Sequence, residues 1–207
     1  MKIRTLLPGL IATLGLAACS GLLPKAEPFD IYRLAHAPAA ASTAAKVNWQ
    51  LRVEDPETSR MLAGSHIIVL PDASRQSAYA GARWAEAAPK LLRNRLIDAF
   101  REDGRVPMVS GDDDNLAADY VLGGNLGAFQ SEYRDGHPVV VIRLDAWLLA
   151  QGQPKPVANH GFAVEEPVGA TDVASVVAAF GRAADRLSQQ LVDWTLQQAR
   201  VTSRAAP

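Results

Sequence analysis

The chain has 207 residues, of which 48% are hydrophobic and 21% are charged. This balance is ordinary for a globular protein with a substantial core, and the length suits one compact domain better than two. The formal net charge is −1 at pH 7 and becomes −3 without Lys2 and Arg4, since 19 basic residues (21 minus 2) then oppose 22 acidic ones. Such a charge argues against nucleic acid as a partner.

Residues 1–18 have the three parts of a secretory signal peptide: a basic start, an apolar run and small residues. The stretch ends Leu16-Ala17-Ala18-Cys19, which resembles the bacterial lipobox. Cys19 is the single cysteine of the chain, so it cannot form an internal disulfide, and lipidation would explain its presence. An ordinary signal peptide that happens to contain a cysteine is the alternative.

The lipobox resemblance implies that Cys19 receives diacylglycerol and fatty acyl chains such as palmitate. Two or more chains anchor a protein stably, because each buried methylene contributes about 0.8 kcal/mol. Ser20 follows where an Asp would imply retention at the inner membrane, so resemblance to the Gram-negative sorting rule implies the outer membrane. Residues 19–28 are interpreted as a lipidated tether.

Three strands are predicted in the first half of the domain. The first spans Phe29–Leu34 (FDIYRL), and an Ala-rich linker follows it. In Val47–Val53 apolar and polar residues alternate strictly, which is typical of a half-buried strand. His66–Leu70 (HIIVL) is a β-branched run that predicts a buried strand. An irregular connection is expected over residues 72–82.

The stretch Tyr79–Gly104 predicts an amphipathic helix that lies on a sheet. Pro89 suits its first turn and Gly104 suits the left-handed position after its last turn. The start of the helix is left open between a turn at Trp84 and a first helical residue near Ala82. The apolar residues at three- and four-residue steps are Trp84, Ala88, Leu92, Leu96, Ala99 and Phe100.

Four further strands are predicted after this helix. Val106–Ser110 could close a right-handed βαβ unit with HIIVL and the helix between them. The segments Asp119–Glu132, Pro138–Ala150 and Val157–Val164 predict a three-stranded antiparallel meander, with Asp135-Gly136 at its first turn. Glycines 123, 124 and 127 are expected to bend the first of these strands.

The last element is a long helix with Thr171 or Asp172 as its cap. A coiled-coil seam is the alternative to packing on a sheet, although Gly181 and the neighbouring small residues favour the sheet. The apolar positions that define the helix are Val173, Val177, Phe180, Ala184, Leu187, Leu191 and Trp194.

The predicted fold is α/β, a mixed β-sheet made of a βαβ unit and an antiparallel meander, covered by two long amphipathic helices. One domain is expected over residues 29–200, followed by a disordered tail at 201–207.

The sequence offers no arrangement typical of an enzyme. Asp112–Asn115 lacks the glycine and glutamate spacing of a calcium loop, so a solvated turn is expected. Glu165 and Glu166 are adjacent on a predicted strand and should point to opposite faces. We therefore expect no catalytic residues, no cofactor, no metal and no enzymatic activity. The four histidines, each alone on a loop or strand end, are His36, His66, His137 and His160.

With these residues in view, the chain resembles the ABC-type transport auxiliary lipoproteins, the companions of MCE-type lipid transport systems that include the lipoprotein of the paraquat-inducible system. The Ala-rich piece from residue 37 to 45 departs from the family pattern. The carriers of the resemblance are the lipobox, FDIYRL, HIIVLPD, the Tyr79–Leu92 segment, the Asp119–Leu122 strand and the helix ending in Asp193-Trp194.

The resemblance implies a non-enzymatic protein, lipid-anchored at the periplasmic face of the outer membrane. Its implied partners are an MCE-domain protein and the associated ABC permease and ATPase, with a homo-oligomer as a further option. Tyr79 and Trp84 are candidate partner contacts, and packing between helix and sheet is their alternative role. The alternative functions are an outer-membrane assembly or structural lipoprotein unrelated to MCE transport, and a periplasmic lipid or cell-wall hydrolase.

Overall fold

The structure is a computed structural model, and it describes residues 28–38, 40–114 and 116–205. The predicted signal peptide and Cys19 lie outside the described residues, as does the tether up to residue 27. The statements below concern the described part of the chain.

A mixed sheet curves into a half-barrel, and two helices pack on it. The predicted α/β class, with its mixed sheet, antiparallel meander and two covering helices, is confirmed. The strands are β1 Asp30–Tyr32, β2 Leu51–Val53, β3 Glu57–Thr58, β4 His66–Asp72, β5 Arg75–Trp84, β6 Val109–Gly111, β7 Tyr120–Arg134, β8 His137–Ala150 and β9 Ala158–Pro167, and the helices are α1 Ala88–Asp103 and α2 Val173–Ala205.

Strand β7 is the centre of the sheet. One of its edges pairs in parallel with β2, β3 and β4 in turn, and the other pairs antiparallel with β8. On one side of the sheet, β6 pairs with β2. On the other side, β5 pairs with β4, and β1 pairs with β5 at the edge. Strand β9 pairs with β8. The hairpin β4–β5 thus connects the long meander to the edge strand β1.

The meander forms as its pattern predicts. Asp135 (φ 51°) and Gly136 (φ 80°) both have positive φ, which matches the right-handed twist of the two strands that they join. Gly127 lies where the β7–β8 register shifts between Leu126 and Ala128, so it occupies a bulge, as expected for a glycine that bends a strand.

The core lies between the sheet and the two helices. Alternate β8 residues face α2, while the apolar face of α1 is fully buried at Leu92 and Phe100. Helix α2 packs on β8, β9 and α1, which confirms packing on the sheet over a coiled-coil seam. Asp172 is its cap, since the Ser175 amide donates to Asp172 Oδ1 at 2.9 Å. The β8 residues that belong to this core are Val140, Ile142, Leu144, Ala146 and Leu148.

The first turns of the predicted central helix are wrong. The stretch from Tyr79 to Trp84 belongs to β5, and α1 begins only at Ala88. Ala82 and Trp84 are buried whereas Arg83 between them is exposed, a period of two that marks a strand. The four-residue step from Trp84 to Ala88 therefore imitates helical spacing across a strand end.

The remaining features of α1 agree with the sequence. Pro89 lies in its first turn, and Gly104 ends it with φ 75° while its amide donates to Phe100 O. The expected irregular connection over 72–82 is wrong, because it forms the turn and most of β5 in the β4–β5 hairpin.

Two further details differ from the sequence prediction. Strand β6 pairs in parallel with β2 and not with β4. In the sheet, β7 and β2 lie between β4 and β6, so the predicted direct pairing of β6 with HIIVL does not form. Helix α2 continues to Ala205 and so includes the first five residues of the predicted tail, whose last two lie outside the described residues.

Candidate functional site

The edge of the sheet at β1 is where the chain arrives from the predicted tether. Strand β1 pairs in parallel with only the last part of β5, through Asp30 with Ala82 and Tyr32 with Trp84. The Ala85 amide donates to Tyr32 O at 2.7 Å and extends this pairing by one step. The segment that follows the predicted tether is therefore fixed to the sheet immediately after residue 29.

Strand β5 is irregular beside this edge. Its pairing with β4 shifts between His66 with Arg83 and Ile68 with Ala78, so β5 holds extra residues at this point. Gly81 lies in the shifted stretch with φ 65°, a left-handed conformation that glycine adopts without strain. The bulge lies directly before Ala82, which pairs with Asp30 at the start of β1.

A groove of about 440 Å³ lies between the bulge and the start of β1. The residues that line it are Phe29 before β1, His66 of β4 and the β5 segment from Ala78 to Arg83. The guanidinium of Arg83 stands 4.6 Å from the centre of the Phe29 ring, a cation–π contact. The groove thus joins apolar walls to a cationic side chain.

Tyr79, one of the two predicted contact residues, is half-buried at this groove. Its hydroxyl donates to Ser131 Oγ at 3.3 Å, which ties β5 to β7. Burial is the main cause that raises the pKa of Tyr79, so the phenol stays neutral at physiological pH. A partner contact through its remaining exposed part stays a prediction.

Trp84, the other predicted contact residue, is only 2% exposed. Its ring packs edge-on against Phe180 of α2 at 5.2 Å and against Phe129 of β7 at 5.9 Å. The structure does not support Trp84 as a partner contact, because alternation along β5 directs this side chain into the core. Its alternative role, packing between sheet and helix, is the one that the structure shows.

A cluster of charged side chains surrounds Arg93 of α1. Its side chain is 5% exposed and bonds three carboxylates, at 3.2 Å to Asp55, at 3.1 Å to Asp113, and directly to Asp112. Burial alone lowers the pKa of the Arg93 guanidinium, but these hydrogen bonds and charges outweigh it and raise the pKa.

The acidic stretch after β6 is an exposed turn, as the sequence predicted, and two of its side chains also bond Arg93. Asp112–Asp114 form one turn of 3₁₀ helix, and Arg93 neutralises two of their carboxylates. Within the described ranges no group of three or more histidine, cysteine, aspartate or glutamate residues could hold a metal ion.

The paired glutamates of β9 diverge as expected. Glu165 accepts from Arg134 at 2.7 Å on one face, and Glu166 accepts from Arg182 at 2.6 Å and from Arg186 on the face toward α2. Two carboxylates that point apart cannot act on one bond. The pair instead attaches β9 to its neighbours.

The histidines remain apart from one another in the described part of the chain. His36 Nε2 lies 3.2 Å from Glu102, His66 lines the groove, and His160 packs against Phe162 and Trp194. In the same residues, neither helix is long and apolar enough to cross a membrane.

Comparison with known families decides the relationship of the chain. A family model described as "ABC-type transport auxiliary lipoprotein component" matches residues 32–192, from β1 into α2. The chain belongs to this family. The resemblance inferred from its motifs is confirmed, and membership in a lipoprotein family indicates an envelope protein associated with a membrane and with an ABC transport system.

Two solved structures and one curated relative are also similar to this chain. Protein XCC0632 from Xanthomonas campestris is 30% identical, with a TM-score of 0.79 over 85% of this chain and 100% of that one. An uncharacterized protein at 20% identity and a TM-score of 0.63 covers 82% of this chain and 99% of its own, and shows the fold alone.

The uncharacterized protein bll6063 of Bradyrhizobium diazoefficiens is 27% identical over 190 residues. That match covers 92% of this chain and 50% of the relative. The auxiliary lipoprotein thus spans half the length of this curated relative.

Proposed function

We propose that this auxiliary lipoprotein is the lipid-anchored periplasmic component of an MCE-type ABC system for envelope lipid transport. In this proposal it docks the distal end of the lipid conduit at the outer membrane or assists lipid passage there. The observation that carries the proposal is the family match across residues 32–192, which spans nearly the whole described domain.

The position of the lipidation motif supports the anchor. Cys19 precedes Phe29 by ten residues, and an extended chain of that length spans at most about 35 Å. A diacylated and N-acylated Cys19 would therefore hold the β1 edge close to a bilayer. Ser20 in the sorting position supports the outer membrane over the inner one.

The use of the charged side chains supports a role in binding over catalysis. In the described ranges the most buried arginines pair with carboxylates: Arg93 with Asp112, and Arg95 with Asp185 at 2.7 Å. These ion pairs link elements of the fold to one another. They are not arranged as a catalytic acid and base that face one substrate in the groove.

Affinity purification tests the proposed partnership. A tag placed after Pro207, at the far end of the chain from the lipid, is used to isolate the acylated protein from detergent-solubilised envelopes. We expect to recover an MCE-domain protein, a permease and an ATPase. An unrelated tagged outer-membrane lipoprotein is the control and should not recover these three proteins. Recovery of a β-barrel assembly or lipopolysaccharide complex without any MCE protein would contradict the proposal.

Membrane fractionation tests the location separately. The wild-type protein should appear in the outer-membrane fraction, and mass spectrometry should find acyl chains on Cys19. The Ser20→Asp variant should shift to the inner membrane while it keeps its acyl chains. A wild-type protein in the inner-membrane fraction would contradict the proposed location.

A further inference from the structure

Four side chains form one surface at the β1 edge, which we call the β1 patch: Phe29, Ile31, Arg33 and Arg83. Ile31 lies opposite Arg83 in the register, and the Arg83 guanidinium lies over the ring of Phe29, which directly precedes β1. Arg33 directly follows β1, and its side chain is exposed. Since the neighbouring Trp84 packs on α2, the patch faces away from that helix.

The apolar half of the β1 patch is open to solvent. Phe29 is 47% exposed and Ile31 is 65% exposed, and both stand on a strand whose outer edge pairs with no other described strand. Tyr32, on the opposite side of β1, is partly buried against the core. Phe29 and Ile31 thus lie on the side of β1 that does not pack against the core.

The cationic half of the patch is unpaired. Arg33 and Arg83 are exposed, and across the described ranges neither has a carboxylate within 4.0 Å. This differs from Arg93 and Arg134, each of which bonds two or more acidic residues. Two guanidinium groups without a carboxylate partner, beside two apolar side chains, suit an anionic surface with an apolar layer beneath it.

We propose that the β1 patch lies on the headgroup layer of the membrane that holds the lipid anchor. Phe29 and Ile31 enter the interfacial region, and Arg33 and Arg83 bond lipid phosphates. The inference rests on the proposed acylation of Cys19, whose ten-residue distance from Phe29 limits the patch to about 35 Å from the bilayer.

The composition of the patch disfavours a two-fold contact in which it meets the same patch of a second copy. In a symmetric contact the same surface meets itself, so Arg33 and Arg83 of two copies would face each other. A stable interface also buries about 800 Å² on each partner and uses about 20–30 residues a side. Four side chains with two like charges fall short of both requirements.

Site-directed spin labelling of the acylated protein tests the proposal. Because acylation blocks the thiol of Cys19, an introduced cysteine is the single labelling site. Ile31→Cys reports on the patch, and Met108→Cys is the matched control, since Met108 is 45% exposed beside β6 at the other edge of the sheet. The protein is reconstituted into vesicles of phosphatidylethanolamine and phosphatidylglycerol.

We expect the accessibility ratio of oxygen to a water-soluble nickel chelate to be several-fold higher at position 31 than at 108. Adding Arg33→Gln and Arg83→Gln to the labelled protein should reduce that ratio toward the control value. Equal, water-like ratios at the two positions would overturn the proposal. Low accessibility of position 31 to both reagents would also overturn it, because a protein partner would then cover the patch.

Mass spectrometry of the same sample separates this inference from the proposed function. An acylated Cys19 together with a water-exposed label at position 31 overturns the patch alone. A protein without acyl chains overturns the anchor and this inference with it.

Discussion

The indole of Trp147 in β8 packs directly on the backbone of Gly123 in β7, its partner in the register. A methyl group placed at Gly123 would lie 2.1 Å from Cζ2 of that ring, far inside van der Waals contact. Because glycine has no side chain, the indole ring of Trp147 can pack against β7 at this position.

We expect Gly123→Ala to destabilise the fold by about 1–3 kcal/mol, because the ring and the new methyl group cannot share the space. Gly127→Ala in the same strand is the matched control, since its nearest non-neighbouring atom is 4.0 Å away. Urea unfolding measures both. In the background Trp147→Ala, Gly123→Ala should lose most of its effect, and an undiminished effect would contradict the steric explanation.

Gly181 in α2 lets the chain after β1 approach the helix. A methyl group there would lie 2.4 Å from the carbonyl oxygen of Ala35. Alanine favours a helix over glycine by about 0.5–1 kcal/mol, but a clash with backbone cannot be relieved by rotating a side chain, so we expect a net loss of about 1–2 kcal/mol.

Hydrogen exchange locates that loss. The Ala37 amide, which donates to Asp185 Oδ2 at 3.1 Å, should exchange faster in Gly181→Ala than in the wild type. Gly169→Ala, with no atom within 4 Å of the added methyl group, should leave it unchanged. Unaltered exchange at Ala37 in both variants would contradict the predicted displacement.

Removal of the Arg93 guanidinium should leave Asp55, Asp112 and Asp113 facing one another. Loss of one partner of a buried pair costs about 3–5 kcal/mol, and solvent screening of these partly exposed carboxylates reduces our expectation for Arg93→Met to about 1–3 kcal/mol. Lys90→Met is the control, because Lys90 is a more exposed cation 3.7 Å from the same Asp113.

Thermal and urea unfolding compare the two variants. Lys90→Met should change stability by less than about 1 kcal/mol. Equal effects of the two substitutions would show that burial of Arg93 does not matter.

The bonds from Arg182 and Arg186 make stability depend on pH through Glu166. Burial alone raises the pKa of Glu166, but these two hydrogen bonds outweigh it and hold the pKa below the ordinary value of 4.5. As pH falls, Glu166 is therefore protonated at a lower pH in the folded state than in the unfolded state. Stability from this carboxylate is therefore complete above pH 4.5 and is lost as pH falls toward the lower folded pKa.

Unfolding measured from neutral to acidic pH checks this sign. Glu166→Gln should be less stable than the wild type near pH 7, and the difference should shrink below pH 4.5. A difference that grows on acidification would contradict it.

Local patterns in the sequence were sufficient for several elements. Alternation along β8, the Asp135-Gly136 turn and the three- and four-residue steps of α2 each depend on neighbours close in the chain. The same holds for the end of α1 at Gly104. These signals act within one element, so the sequence shows them directly.

The candidate site could be predicted only in part. FDIYRL was sufficient to predict a strand, but its outward side could not be assigned, because the pairing of Ile31 with Arg83 joins positions 52 apart. Trp84 was misplaced for a related reason: a step of four residues is shared by a helix and by the junction between β5 and α1.

The sequence by itself determined the family, the class of fold and the faces of the long elements, since periodicity records which side of each element avoids water. The tertiary structure alone decided the order of the strands, the burial of Arg93 among three aspartates and the exposure of Phe29 and Ile31. These features depend on contacts between segments far apart in the chain. Such contacts produce no periodic pattern in the sequence.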